Sequence, residues 1–137
     1  MKITLSRLND AYHMEAQNED GQTLHLDGSP EIGGINGGFR PMQMVLASLA
    51  GCSSIDVISI LKKMKQEITD FHVEIDGERA EDQTPSVFTK IHLKFILSGN
   101  LEEKKVEKAI SLSMDKYCSV SKMLENSVEI TREYVIR

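Results

Sequence analysis

Short alternations of apolar and polar residues characterise the N-terminal third of the chain. Turn residues separate these alternations at Asn9-Asp10 and at Glu19-Asp20-Gly21. A period of two residues bounded by Asn, Asp and Gly is typical of β-strands in hairpins. The pattern therefore predicts a meander of three short strands. Their apolar members are Met1, Ile3 and Leu5, then Tyr12, Met14 and Ala16, then Leu24 and Leu26.

A glycine-rich segment, residues 28–38, follows these strands. In it, Gly33-Gly34 and Gly37-Gly38 flank Ile35-Asn36. A phosphate-binding loop would be followed by Lys and then Ser or Thr, and would open after a strand in the right register. Because this segment lacks both features, we interpret it as a flexible connection.

The longest apolar run, from Met42 to Leu61, is apolar on nearly all sides. Pro41 suits the first position of a helix, where its missing N–H would have had no partner. The pattern predicts a helix from Pro41 to about Lys65. The run is long enough to cross a membrane, but Gln43, Asp56 and several serines would be costly in lipid. We therefore predict a buried helix of a soluble protein and no membrane partner.

In the C-terminal half, the pattern of apolar and polar residues predicts two strands, two helices and a final strand. Asn100 and Glu103 have the spacing of a capping box, which predicts that the first of these helices begins there. Its apolar side is Val106, Ala109, Ile110 and Met114, and the second helix is short, from about Ser121 to Asn126. The three strands contain Phe71, Val73 and Ile75, then the alternation Val87, Thr89, Ile91, Leu93, Phe95 and Leu97, and finally Val128, Ile130, Arg132, Tyr134 and Ile136.

The predicted element order is βββ-α-ββ-α-α-β, an α+β protein in a single domain over residues 1–137. One sheet cannot cover a central helix that is apolar all round. Ala47 with Gly51, and Ala50 with Ser54, place small residues four apart, which permits a second helix to approach closely. In a chain this short, that second helix would come from another copy. We predict a homodimer with the central helices near its interface.

Composition narrows the class of protein. A hydrophobic share of 40% and a charged share of 27% are ordinary for a soluble globular chain of 137 residues. The net charge of −5 argues against a nucleic-acid partner, which would require a basic face. The first ten residues lack the apolar core of a signal peptide, so we predict a cytoplasmic protein. Cysteines in that reducing compartment are reactive or buried rather than structural bridges.

The two cysteines lie in different settings. Cys52 is in the apolar run among small residues, and Cys118 follows the helical pattern that ends at Lys116-Tyr117. Neither has a second cysteine nearby, which excludes zinc-knuckle and thioredoxin-type motifs. Two readings remain open: buried thiols that act as small hydrophobes, or two thiols that only the fold brings together.

The four histidines alternate with the apolar residues of their predicted strands, which is typical of solvent-facing positions. We therefore predict no metal site and no cofactor. These residues are His13, His25, His72 and His92.

Two segments resemble the cysteine motifs of the OsmC/Ohr family. Residues 40–52, RPMQMVLASLAGC, resemble the first motif, and residues 116–120, KYCSV, resemble the second. The order of strands and helices matches over essentially the whole chain, and the likeness is to the OsmC-like branch rather than to the organic hydroperoxide resistance proteins. The resemblance implies an intertwined dimer in which sheets from both subunits wrap two long central helices.

The resemblance also implies thiol peroxidase chemistry. Cys52 would be the thiolate that attacks the O–O bond of an organic hydroperoxide and becomes a sulfenic acid. Cys118 would resolve it to a disulfide, and an external dithiol would reduce that disulfide. The rival interpretation is a non-catalytic dimer that binds a small ligand, and a third is a structural protein with buried thiols.

Activation of Cys52 is where the chain departs from the family pattern. In the hydroperoxide reductases, an arginine of the N-terminal hairpin and a glutamate just after the proline activate the cysteine. Met42 and Gln43 follow the proline here, so Arg7, Arg40 and Gln43 are the candidate activating or positioning residues. Arg40 precedes Cys52 by about 18 Å of helix, so it would act from the other subunit. Asp56, one turn after Cys52, would oppose thiolate formation if it faces the thiol.

Overall fold

Six strands and three α-helices follow one another in the predicted order in a computed structural model that describes all residues, Met1–Arg137. The chain forms two compact units, Met1–Val45 and Leu46–Arg137. The elements are β1 Ile3–Arg7, β2 Met14–Asn18, β3 Thr23–Leu26, α1 Pro41–Lys63, β4 Glu67–Arg79, β5 Phe88–Asn100, α2 Glu103–Leu112, α3 Ser119–Leu124 and β6 Glu129–Ile136. The α+β class and the order βββ-α-ββ-α-α-β are thus confirmed.

The first unit contains a three-stranded antiparallel sheet in the order β1-β2-β3. Leu5, Ala16 and Leu24 lie opposite one another across it, so the predicted alternation places apolar residues on one face. The predicted meander is therefore confirmed. The start of the second strand was predicted too early, because Tyr12 lies in the turn before Met14.

Asp27 organises the glycine-rich segment that follows β3. Its carboxylate, 1% exposed, accepts hydrogen bonds from the backbone N–H groups of Gly28 at 2.7 Å, Ile35 at 3.1 Å and Gly37 at 2.9 Å. The bond from Gly37 contributes most to holding the pKa of this carboxyl below its usual value. We expected a flexible connection here. The structure instead shows a loop ordered by a buried carboxylate and a 3-10 turn at Pro30–Ile32.

The sheet of the second unit has the order β4-β5-β6. β4 runs antiparallel to β5 and β6 runs parallel to it, so α2 and α3 form the crossover between β5 and β6. Most of the predicted alternation of β5 is confirmed, but its start was wrong, because Val87 is exposed and Phe88 is buried instead. An irregularity in the pairing at Glu78/Arg79 accounts for this change of face. The other buried residues of β5 that the alternation predicted are Ile91, Leu93, Phe95 and Leu97.

The predicted capping box at Asn100 was wrong. Asn100 remains paired with Glu67 as the last residue of β5, and the N-cap of α2 is Glu102. Glu102 makes no side-chain cap; its backbone N–H donates to Gln66 Oε1 at 2.7 Å. The sheet thus retains the residue that would have capped the helix. The predicted apolar side of α2 and the turn after it is confirmed, with Val106, Ala109, Ile110 and Met114 buried.

Helix α1 ends at Lys63, two residues before the predicted end. Lys65 adopts a left-handed conformation, with φ of 57°, and the backbone N–H of Gln66 bonds to the carbonyl of Leu61, as in a Schellman motif. The helix is long and apolar enough to cross a membrane by length and composition, a property that core helices of soluble proteins share. Within one chain only a single stripe at spacing four is fully buried: Leu49, Ser53, Val57 and Leu61.

Candidate functional site

Three potential ligand or proton-transfer groups meet in the second unit. The sulfurs of Cys52 and Cys118 and a carboxylate oxygen of Asp56 all lie within 4.8 Å of one another, and both cysteines are free thiols. Cys52 and Asp56 are one helical turn apart on α1 and therefore share a face. The fold thus brings together the two cysteines that the sequence singled out, and Asp56 does face them.

Cys118 is held at the junction of two helical segments. Residues Ser113–Tyr117 form a π-helical turn, and Cys118 then adopts an extended conformation as the N-cap of α3. Its sulfur accepts a hydrogen bond from the backbone N–H of Ser121 at 3.4 Å. Because the thiol caps the helix, α3 begins at Ser119, two residues earlier than predicted. π-helical turns of this kind often mark functional positions.

The Cys118 thiol is buried, at 2% exposure. Burial raises its pKa to about 11, the adjacent Cys52 contributes to the increase, and the hydrogen bond from Ser121 opposes it. Cys118 therefore remains protonated at neutral pH in the reduced protein.

Cys52 is half-buried, in a stretch of small residues. The neighbouring hydroxyls of Ser53 and Ser54 donate to carbonyls of the preceding helical turn, those of Leu49 and Ala50. Gly51 faces open space, since a methyl group added there would meet no atom within 4 Å. The small residues therefore leave the helix surface beside this thiol accessible.

Asp56 is tied to the segment that carries Cys118. The buried hydroxyl of Ser113 donates to Asp56 Oδ2 at 3.2 Å and to the carbonyl of Ser53 at 3.1 Å. Sequence reasoning missed Ser113, because a serine within an apolar helical pattern does not indicate its partner. This contact fixes α1 against the π-helical turn at the level of the thiols.

A groove of about 400 Å³ adjoins the thiol site. It shares Asp56 with the site, and it includes Tyr117, which directly precedes Cys118. Its aliphatic and aromatic walls can accommodate an apolar group next to Asp56. The lining residues are Asp56, Ser59, Ile60, Lys63, Leu112 and Tyr117.

Arg40 and Gln43, two of the predicted activating residues, belong to the first unit. The guanidinium of Arg40 donates to the Asn36 side chain at 2.9 Å and to the carbonyl of Gly38 at 3.1 Å. The Gln43 side chain accepts from the backbone N–H of Arg40 at 2.9 Å, which closes the start of α1. Their predicted role toward Cys52 remains a prediction.

Arg7, the third predicted activating residue, also lies in the first unit. Its guanidinium donates to the backbone carbonyls of Asp10 and Ala11, and the bond to Ala11 measures 2.9 Å. The guanidinium therefore stabilises the turn between β1 and β2. Its role in activation likewise stays a prediction.

The histidines are not all simple surface residues. His13 Nε2 and His25 Nδ1 lie 2.7 Å apart, and His25 Nε2 lies 3.3 Å from a Glu15 carboxylate oxygen. Both rings are half-buried, which the strand pattern did not predict. His92 bonds to the Thr131 hydroxyl at 2.7 Å. None of the four lies in the thiol site.

The comparisons with known proteins decide the family. The family model described as "OsmC-like protein" matches residues 33–133, a range that contains both cysteines and Asp56. The chain belongs to the OsmC-like protein family. It is 47% identical to Protein YhfA of Escherichia coli K12 over 97 residues, which cover 70% of this chain and 72% of YhfA.

Solved structures support the OsmC-like assignment. A hypothetical protein from Aquifex aeolicus VF5 is 32% identical, with a TM-score of 0.81, and covers 99% of this chain and 96% of its own. The organic hydroperoxide resistance protein OhrB of Bacillus subtilis has a TM-score of 0.64 at 21% identity, covering 98% and 96% of the two chains. The second likeness shows that the two proteins share a fold. The predicted resemblance to the OsmC/Ohr family is therefore confirmed.

Proposed function

We propose that this OsmC-like protein is a thiol-dependent peroxidase that reduces organic hydroperoxides. The single observation that carries the proposal is the approach of the Cys52 and Cys118 sulfurs to within 4.8 Å. A disulfide between them would require the sulfurs to approach to about 2.05 Å. Their roles differ because their surroundings differ.

Cys52 is the group that attacks the peroxide. It is half-buried, whereas Cys118 is buried and protonated at neutral pH. The Cys52 thiolate attacks the distal oxygen, the O–O bond breaks, and a proton converts the departing alkoxide to an alcohol. Cys52 is then a sulfenic acid.

Cys118 resolves the sulfenic acid. An S–S bond forms between the two cysteines, and the sulfenic oxygen leaves as water with the proton of Cys118. An external dithiol then reduces the disulfide by thiol–disulfide exchange and is itself oxidised to a disulfide. Peroxide and dithiol are thus consumed in equal amounts.

The groove supports an organic rather than an inorganic peroxide as substrate. Ile60, Leu112 and Tyr117 line it beside Asp56. An alkyl or aryl group placed there buries apolar surface that hydrogen peroxide does not have.

A homodimer completes the proposed assembly. Ile55 is 71% exposed and Ile58 41% exposed on α1, and Gly51 has open space next to it. The first sheet also leaves Ile3 and Leu5 exposed on an apolar concavity of about 600 Å³. An intertwined dimer would cover such surfaces, and it would allow Arg7, Arg40 or Gln43 of either subunit to act on Cys52. We place this dimer in the cytoplasm, and static light scattering tests its assembly.

The rival function is a dimer that binds a small ligand without turnover. The observation that favours it is the Asp56 carboxylate beside the thiols, because a nearby negative charge opposes thiolate formation. Consumption of cumene hydroperoxide with dihydrolipoamide as reductant separates the two functions. Turnover by wild type and none by Cys52→Ser supports the peroxidase, whereas no turnover by either supports the ligand binder.

A further inference from the structure

The thiol site contains the Asp56 carboxylate, which forms no ion pair with a cationic side chain of the chain. Cys52, Asp56 and Cys118 converge within 4.8 Å, and Asp56 takes part in no ion pair of the chain. The hydrogen bond that the structure gives its carboxylate comes from the neutral Ser113 hydroxyl. Two sulfurs and a carboxylate oxygen that converge in one small volume form a donor set of the kind that coordinates a metal cation.

We propose that the reduced protein binds a thiophilic divalent cation of the zinc type through Cys52 Sγ, Cys118 Sγ and one carboxylate oxygen of Asp56. Thiolates select such ions over magnesium and calcium, which prefer oxygen ligands throughout. The sequence offered no motif for this site, because two donors are one turn apart on α1 and the third comes from the junction before α3.

The distances fit the ion after a small adjustment. Zinc binds sulfur at about 2.3 Å and carboxylate oxygen at about 2.1 Å, which separates the donors of a tetrahedral ion by about 3.5 to 3.8 Å. The three donor atoms here are no more than 4.8 Å apart. The proposed binding must close the remaining gap of about 1 Å by rotation of the three side chains between their staggered conformations.

Two neighbouring groups orient the donors. The Ser113 hydroxyl holds Asp56 Oδ2, which leaves the other carboxylate oxygen for the cation. The backbone N–H of Ser121 holds Cys118 Sγ. Contacts of this kind to the ligands are what fix the geometry of protein metal sites. With three protein donors, the fourth position is open to water or a ligand, as in catalytic zinc sites.

Cation binding and disulfide formation exclude each other. Binding displaces the two thiol protons. Oxidation by an organic hydroperoxide joins the sulfurs, gives an alcohol and water, and removes both sulfur donors, so the cation is released. This coupling rests on the proposed function, whereas cation binding by the reduced thiols does not.

Cobalt(II) is the probe, because thiolate-to-cobalt charge transfer produces an absorption band that zinc can then bleach by competition. Reduced, chelator-treated full-length protein is titrated with cobalt alone. We expect a thiolate band that saturates at one ion per chain and disappears when zinc is added. Asp56→Asn should bind more weakly by at least the roughly tenfold that loss of a supporting contact typically causes. Asp76→Asn, which changes an exposed carboxylate of β4, should bind like the wild type.

Each outcome decides the proposal. The absence of a thiolate band in the reduced wild type overturns it, and so does a band of equal affinity in Asp56→Asn. Circular dichroism establishes that Asp56→Asn is folded. If that variant does not fold, protection of the Cys52 thiol against alkylation by stoichiometric zinc in the wild type replaces the comparison, and equal alkylation of Cys52 with and without zinc overturns the site. Hydroperoxide turnover of the metal-free protein is measured separately, so failure of the peroxidase leaves the cobalt result intact.

Discussion

Ser113 Oγ donates to Asp56 Oδ2 at 3.2 Å, and this contact joins the helix that carries Cys52 to the turn that carries Cys118. The same hydroxyl also donates to the Ser53 carbonyl of α1. Ser113 is fully buried, so water cannot replace these bonds if the hydroxyl is removed. The relative placement of the two thiols therefore depends on a residue that takes no part in their chemistry.

Ser113→Ala is the first prediction. It leaves the Asp56 carboxylate and the Ser53 carbonyl without this donor, and we expect the free energy of unfolding to fall by about 1 to 2 kcal/mol. Urea denaturation measures it. Ser127→Ala is the matched control, because the Ser127 hydroxyl also donates to a helix carbonyl but is exposed. Equal urea midpoints for the two variants would contradict the assigned role of Ser113.

The order of elements could be predicted because its signals are local. Period-two alternation identified the strands, and the small-residue apolar run identified α1. The Asn100 cap could not be predicted, because pairing with Glu67 in the sheet competes with capping and only the fold settles that competition. The N-cap of α3 could not be predicted either, because the sulfur of Cys118 takes a role that Ser or Asp usually fills.

Alkaline pH should destabilise the reduced protein through Cys118. Burial raises its pKa from 9.0 to about 11, so the folded state keeps this proton at pH values where the unfolded chain has lost it. The stabilising contribution is fully present below pH 9 and is lost as the pH rises toward 11, at about 1.4 kcal/mol per pH unit. The difference in unfolding free energy between wild type and Cys118→Ala, measured across this range, isolates the effect from other titrating groups. A difference that is constant with pH would contradict it.

Acidic pH should remove the contribution that Asp27 makes to the stability of the glycine-rich loop. Backbone N–H donors, with Gly37 first, lower the pKa of this carboxyl below its ordinary value of 3.8. The contribution of Asp27 to stability is therefore present above that value and is lost as the pH falls through the lower, folded-state pKa. Asp27→Asn should be less stable than wild type at neutral pH, with faster hydrogen exchange at the Ile35 and Gly37 amides, and the stability gap should narrow in acid.

The control for the loop is Asp20→Asn, which alters an exposed carboxylate in the turn between β2 and β3. It should leave both amides protected as in the wild type. Protection that survives in Asp27→Asn would show that the loop does not depend on this carboxylate.

The two cysteines should give different products with cumene hydroperoxide. Wild type should lose two hydrogens per chain as a disulfide forms. Cys118→Ser should consume one equivalent and stop at the Cys52 sulfenic acid, detected by dimedone addition in mass spectrometry. Serine is a good N-cap, so this variant should keep α3. Cys52→Ser should consume none, and equal consumption by Cys52→Ser and wild type would remove Cys52 from the mechanism.

The last prediction concerns the charge of Asp56. Its carboxylate lies within 4.8 Å of both sulfurs, and in the proposed peroxidase we expect its negative charge to disfavour the attacking thiolate of the metal-free protein. Asp56→Asn keeps the size of the side chain and removes the charge. The rate of Cys52 oxidation at neutral pH should therefore rise, up to about tenfold if the removed repulsion is about 1.4 kcal/mol. The same variant should bind cobalt more weakly. One substitution should therefore raise the rate of Cys52 oxidation and lower the affinity for cobalt. Stopped-flow oxidation with chelator present measures the rate, with Asp76→Asn as control. A slower reaction in Asp56→Asn would instead identify the carboxylate as a base that accepts a thiol proton.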